Sequence, residues 1–340
     1  MNLPVRIDLN DVSSFPDRRV EGWKWTDLRR WLREPPEPSG PATVTGSGPF
    51  GALPGDSLAF ANGRPVGAEA FVASGDQTLH LRLVSDAEGT GHTASARIAA
   101  RPGARLLILE SHEGCGSAYV AHNRLSIDVP AGAEVRRIVI ADEPADALSL
   151  TEVEVSVGER AVYAQTILTT GARLQRQETR IVHAGYGATV RADGLYALTG
   201  DRHADLTSIV THAGPDGQTS QLIKGVVRDT ARGVFQGKIV VERGADGTDA
   251  RMAHNALILS ERGEVDAKPE LIIYADDVQC AHGNTVGTLD ESALFYMQQR
   301  GLSADEARAL LTRAFLMEVV DRIEHEGARE EVRTWLMERS

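Results

Sequence analysis

Glu152-Val153-Glu154-Val155-Ser156-Val157 alternates polar and apolar residues with a period of two, and Leu79-His80-Leu81-Arg82-Leu83 does the same. Successive side chains of a strand point to opposite faces, so each run predicts a half-buried strand. Such runs fill residues 56–288 with almost no helical periodicity, punctuated by turn signals such as Pro130-Ala131-Gly132 and Pro215-Asp216-Gly217. Gly158, Gly171, Gly185, Gly200 and Gly214 recur every 13 to 15 residues. Many short strands without helices leave a sandwich, a barrel or a β-solenoid, and a uniform repeat of this length favours the solenoid. Its open ends need covering, which terminal helices could do.

Outward from this β region, 56–288, the composition changes on both sides. Residues 1–34 hold Trp23, Trp25 and Trp31, and Leu28, Trp31 and Leu32 follow helical spacing, which predicts a small helical region packed by its tryptophans. Residues 35–55, beginning Pro35-Pro36-Glu37-Pro38, read as an extended proline- and glycine-rich linker. Residues 289–340 are helical in pattern. Asp290-Glu291 opens a first helix that Gly301 stops, and Ser303 with Glu306 forms a capping box. Ala307, Leu310, Leu311, Ala314 and Phe315 then make an apolar stripe, and a last helix carries Val332, Trp335 and Leu336.

Composition excludes several classes. Lys+Arg 36 against Asp+Glu 48 gives a net charge of −12 over 340 residues, which disfavours nucleic acid and anionic membranes as partners. No apolar run reaches the ~18 residues of a spanning helix, and Met1-Asn2-Leu3-Pro4 opens no signal-peptide core. Two cysteines, Cys115 and Cys280, make no disulfide framework. The expectation is a cytoplasmic chain whose thiols are reduced and free to ligate.

The chemistry is sparse. There is no G-x-x-x-x-G-K-[ST], no G-x-G-x-x-G opening a helix, no H-E-x-x-H and no C-x-x-C. His183, His203, His212 and His254 are solitary and read as core or surface residues. Cys280 and His282 differ, because two residues apart on a strand they project to one face, and thiolate and imidazole both ligate iron or zinc. Two ligands do not complete a site, so the pair is either structural or completed by another chain. Asp276 and Asp277 are adjacent and would face opposite ways. Asp193, Asp201 and Asp205 could converge on a solenoid surface, which keeps a carbohydrate-active β-helix enzyme as the alternative, with a purely structural solenoid as the third reading.

Several stretches resemble the SufB/SufD family of the SUF iron–sulfur cluster assembly system, on its SufD branch. They are Glu21-Gly22-Trp23-Lys24-Trp25-Thr26, Arg176-Gln177-Glu178-Thr179, Ala192-Asp193-Gly194-Leu195-Tyr196, Gly233-Val234-Phe235-Gln236-Gly237, Lys268-Pro269-Glu270-Leu271 and the run from Tyr274 to Gly287. The resemblance implies a mainly β protein, a right-handed parallel β-helix flanked by small helical regions. It implies a non-catalytic scaffold subunit that pairs with a SufB-like paralogue and binds a SufC-like ABC-type ATPase through its C-terminal helices. It also implies that His282 and Cys280 serve a transient iron–sulfur cluster, as iron ligands at the subunit interface. Cys115 has no counterpart and reads as a small buried residue. A flavin in the complex, and a homodimer of the isolated chain, are left open by the residues and the resemblance alike.

Overall fold

The computed structural model describes residues 5–339. A hairpin of β1 (Asp56–Ala61) and β2 (Arg64–Val66) begins the β region, and β1 pairs in parallel with β4 (Asp76–Ser85). The same sheet continues in parallel through β6 (Arg105–Gly114), β8 (Glu134–Asp142), β10 (Val162–Thr169) and β12 (Thr189–Leu198). It ends with β14 (Gln218–Val227), β16 (Asp249–Ile258) and β18 (Gln279–Gly287). The second sheet holds β3 (Ala70–Ala73), β5 (Gly91–Ala100), β7 (Val120–Val129) and β9 (Leu148–Val157). Beyond them lie β11 (Leu174–His183), β13 (His203–His212), β15 (Arg232–Val241) and β17 (Glu264–Ile273). Even and odd strands alternate along the chain, so it winds as a parallel β-solenoid of about eight two-strand coils.

Each coil stacks on the next in register. Leu148 meets Leu174, and Arg232 meets Glu264, the shortest and longest steps between β4 and β18. The alternating runs supply the lumen: Leu79, Leu81, Leu83, Val153, Val155 and Val157 are all buried there in one apolar cluster. The glycine spacing of 13 to 15 residues is half a coil. Gly158, Gly185 and Gly214 stack at one corner, where a Cβ on Gly214 would lie 2.2 Å from the Gly185 carbonyl oxygen. No side chain fits between corners this close.

The outer faces are covered differently. On the first sheet lie α3 (Ala304–Val320) and α4 (Glu326–Met337), preceded by α2 (Glu291–Gln299). Asp290 caps α2, Ser303 and Glu306 form the capping box of α3, and Gly301 takes φ +95 between them. Leu316, Val319, Val320, Val332, Trp335 and Leu336 pack on Leu107, Leu109, Ile138 and Ile140. Of the apolar stripe expected in α3, Phe315 joins that packing face and Leu311 packs beside α2, whereas Leu310 is 48% exposed and Ala314 is also exposed. Only the second half of α3 crosses the sheet, whereas Ala307 in its first half packs on Leu289 and Leu294.

Residues 5–34 are the small helical region at this end, and they lie across the second sheet as a strap. Besides two 3-10 turns there is one α-helical turn, α1 (Leu28–Trp31). Ile7, Leu9, Phe15, Trp23, Leu28 and Leu32 pack on Val120, Leu148, Leu150 and Leu174. Trp31 does not join them. It faces outward beneath the Arg173 guanidinium, 4.5 Å away, because a single turn of helix cannot bury three successive faces. The proline-rich stretch is likewise tethered, with Ser39 N–H donating to Gly91 O at 2.8 Å and Phe50 buried among the residues under α3.

The strap explains several of the quoted motifs as one contact network. Arg176 of β11 pairs with Glu178 at 2.6 Å and with Asp205 of β13, and its guanidinium lies 4.3 Å over the Trp23 ring. Thr26 donates to Asp205 Oδ2 at 2.5 Å, Gln236 to the Gly22 carbonyl at 3.1 Å, and Lys268 to Glu21 at 2.6 Å. Arg176, Glu178 and Asp205 are all buried, so these charges need every partner they have. Thr26→Val keeps the shape and removes one donor to a buried carboxylate. It should lower unfolding free energy by about 1–3 kcal/mol in urea titrations. An unchanged midpoint would mean that the strap does not depend on this bond.

Candidate functional site

The last coil is exposed. Of β18 only Cys280 is partly buried, and Ile273, Tyr274 and Val286 are large apolar side chains open to solvent at the same end. Within the described residues no strand stacks on the far side of β17 or β18, which leaves unpaired backbone at a sheet edge. β16 lies beneath β18: Ala250 opposes Cys280, Met252 opposes His282 and His254 opposes Asn284. Ala250, Met252 and His254 are buried lumen residues, so Cys280, His282 and Asn284 project over the mouth of the lumen.

The coil below is held by ring stacking and hydrogen bonds. His254 stacks on Phe235 with ring centroids 4.9 Å apart, accepts from the Tyr196 hydroxyl at Nε2 (2.9 Å), and donates from Nδ1 to Asn284 Oδ1 (2.7 Å). Burial holds the His254 imidazole below its ordinary pKa, which suits this neutral donor–acceptor role. Burial also raises the Cys280 thiol, and the charge of Asp249 adds to it, so the group is protonated at neutrality until a metal or a nearby cation displaces the proton. His282 is exposed and makes no hydrogen bond or ion pair among the described residues.

Cys280 and His282 thus share one face, as their spacing requires, but nothing in the chain completes them. Among the described residues no three His, Cys, Asp or Glu side chains come together as a metal site. Asp276 and Asp277 lie exposed in the turn before β18. The carboxylates that could have converged do not. Asp193 sits on the outer face of the first sheet, bound by Arg322 at 2.9 Å, and Asp205 sits on the second sheet under the strap. Facing away from each other across the lumen, they cannot work as an acid–base pair. Cys115 is exposed rather than buried, because it follows β6 at a corner where the chain turns outward. The His254–Asn284 support was not read from sequence. Its only signal is a separation of 30 residues, one coil at this end, which has meaning once the register is known.

A family model described as "SUF system FeS cluster assembly, SufBD core domain" matches residues 83–315. The iron–sulfur cluster assembly protein SufD of Escherichia coli is 30% identical over 231 residues, covering 68% of this chain and 55% of that protein. A SufBD family protein of Synechocystis is 32% identical over 191 residues, covering 56% of this chain and 42% of its own length. One from Mycobacterium bovis is 26% identical over 355 residues, covering 94% and 88%. The chain therefore spans about half the length of the first two relatives and most of the third. No helix among the described residues is long and apolar enough to cross a membrane.

Proposed function

The chain belongs to the SufBD family of iron–sulfur cluster assembly proteins, and from that membership we propose that it is a non-catalytic scaffold subunit of a cytoplasmic assembly complex. It pairs with a SufB-like subunit through the open coil at β17 and β18. There His282 and Cys280 supply part of a nascent cluster's ligands, and the partner supplies the rest. Iron and sulfide are cargo in this reading, not resident cofactors. The observation that carries it is the unstacked last coil, which offers an unpaired sheet edge and two soft-metal ligands at one place. Pull-down from native cytosol with anaerobic iron and sulfide analysis tests it. Recovery of the chain without a paralogue, an ATPase or sulfide would count against it.

A SufC-like ATPase docks, in the same proposal, on the C-terminal helices. Phe295, Tyr296 and Leu310 support this, being 63%, 59% and 48% exposed on α2 and α3. Deleting residues 290–340 is a poor test, because it would uncover Leu107, Leu109, Ile138 and Ile140 on the first sheet. Phe295→Ala with Leu310→Ala removes apolar area that the isolated fold leaves in water. The pair should weaken ATPase association about 30-fold or more by titration, while circular dichroism and melting stay unchanged. Undiminished affinity would move the docking surface elsewhere.

A further inference from the structure

The outer face of the first sheet carries a row in strict register. Arg136 of β8 meets Ala164 of β10, which meets Arg191 of β12, then Ser220 of β14 and Arg251 of β16. Parallel strands lie about 4.8 Å apart, so successive arginines stand about 10 Å apart with a small residue between them. Each gap is a notch walled by guanidinium groups. A cleft of about 300 Å³ opens alongside, with Thr189, Gln218, Ser220 and Arg251 in its lining.

The notch at Ala164 is occupied by the chain itself. Glu324, in the turn between α3 and α4, accepts from Arg191 Nη1 at 2.7 Å and pairs through its other oxygen with Arg136. The sheet's own acids are already placed: Glu134 beside Arg136, Asp193 3.5 Å from Arg191, and Asp249 3.1 Å from Arg251. Arg322 serves Asp193 and Ser220. Among the described residues Glu324 is therefore the one carboxylate brought to this row from outside the sheet, and its side chain is still 54% exposed while both its arginines are largely covered. A planar fork of N–H donors on each side of a small residue fits a carboxylate or a phosphate group.

We propose that the notch between Arg136 and Arg191 is a binding site for a ligand bearing a carboxylate or phosphate group, whose place Glu324 holds in cis, and that the adjacent cleft receives the rest of that ligand. Binding displaces Glu324 and frees the α3–α4 turn, while the apolar contacts of α3 and α4 keep the helices on the sheet.

The test titrates the full chain, unsubstituted and as Glu324→Gln, with pyrophosphate in one arm and citrate in the other, by calorimetry. Glu324→Gln should bind one of the probes about 10-fold more tightly than the unsubstituted chain, and adding Arg136→Gln or Arg191→Gln should remove the gain. Tighter pyrophosphate alone assigns a phosphate ligand, and tighter citrate alone a carboxylate. In the unsubstituted chain, saturating probe should speed amide exchange over residues 321–326. Absence of binding to Glu324→Gln by either probe, binding that survives Arg191→Gln, or unchanged exchange in the turn would each overturn the proposal.

Discussion

With His282 replaced by alanine, the reconstituted three-protein complex should assemble normally and yet accumulate cluster absorbance at about a tenth or less of the unsubstituted yield. Neutral imidazole offers iron a lone pair and alanine offers none. Stability should hardly move. His282 is exposed and without a hydrogen-bond partner among the described residues, and substitutions of that kind stay within about 0.5 kcal/mol. A packing histidine predicts the reverse, full cluster yield with about 1–3 kcal/mol of lost stability. Sulfide-dependent absorbance and melting temperature, read on one sample, separate the two. Cys280→Ala refines the result: its side chain is half-buried against the end of the lumen, so it should show a small melting shift whatever its role in ligation. Full absorbance from His282→Ala would remove imidazole ligation from the proposed function and leave the scaffold reading without its chemistry.

What was legible in the sequence was what one strand decides alone. Leu79, Leu81 and Leu83, or Val153, Val155 and Val157, declare a buried face by alternation, and Cys280 with His282 share a face by the same parity. The apparent lack of pattern elsewhere has a physical cause. Where α3 and α4 cover the first sheet, both faces of a strand are buried, and Arg137-Ile138-Val139-Ile140-Ala141 shows no alternation at all. What stayed hidden depends on register between coils. Coil length varies with the corners, so sequence distance alone cannot say that Asp193 and Asp205 lie on opposite sheets or that His254 supports Asn284. Trp31, Leu310 and Ala314 misled for another reason. Their apolar spacing is helical, but the solid surface they were expected to meet lies under other residues.

The largest loss of stability should follow from removing a charge inside the lumen. Arg137 of β8 and Glu110 of β6 are fully buried and joined by two parallel bonds, each of 2.7 Å, and Glu110 also accepts from His112 at 2.8 Å. Gln165 accepts from Arg137 at 3.2 Å and from the Tyr163 hydroxyl at 3.0 Å, so the polar atoms are satisfied as a group. Burial alone would raise the Glu110 pKa, but Arg137 and His112 outweigh it and hold the carboxyl at about 2. Arg137→Met leaves that carboxylate buried without its counter-ion and should cost about 3–5 kcal/mol at pH 7 in urea titrations. Adding Glu110→Met should recover most of the loss, because an apolar pair of similar volume replaces an ion pair at little net cost. The pH dependence is the sharper test. In the unsubstituted protein Glu110 is more acidic folded than unfolded, so its contribution is present above about pH 4.5 and is lost as pH falls toward 2. In Arg137→Met the buried carboxyl becomes less acidic folded than unfolded, so the native state takes up the proton and lowering the pH restores stability. The stability difference between the two proteins should therefore shrink steadily on acidification. A difference below about 1 kcal/mol at pH 7, or one constant from pH 7 to pH 4, would mean that the lumen holds Glu110 by some means other than Arg137.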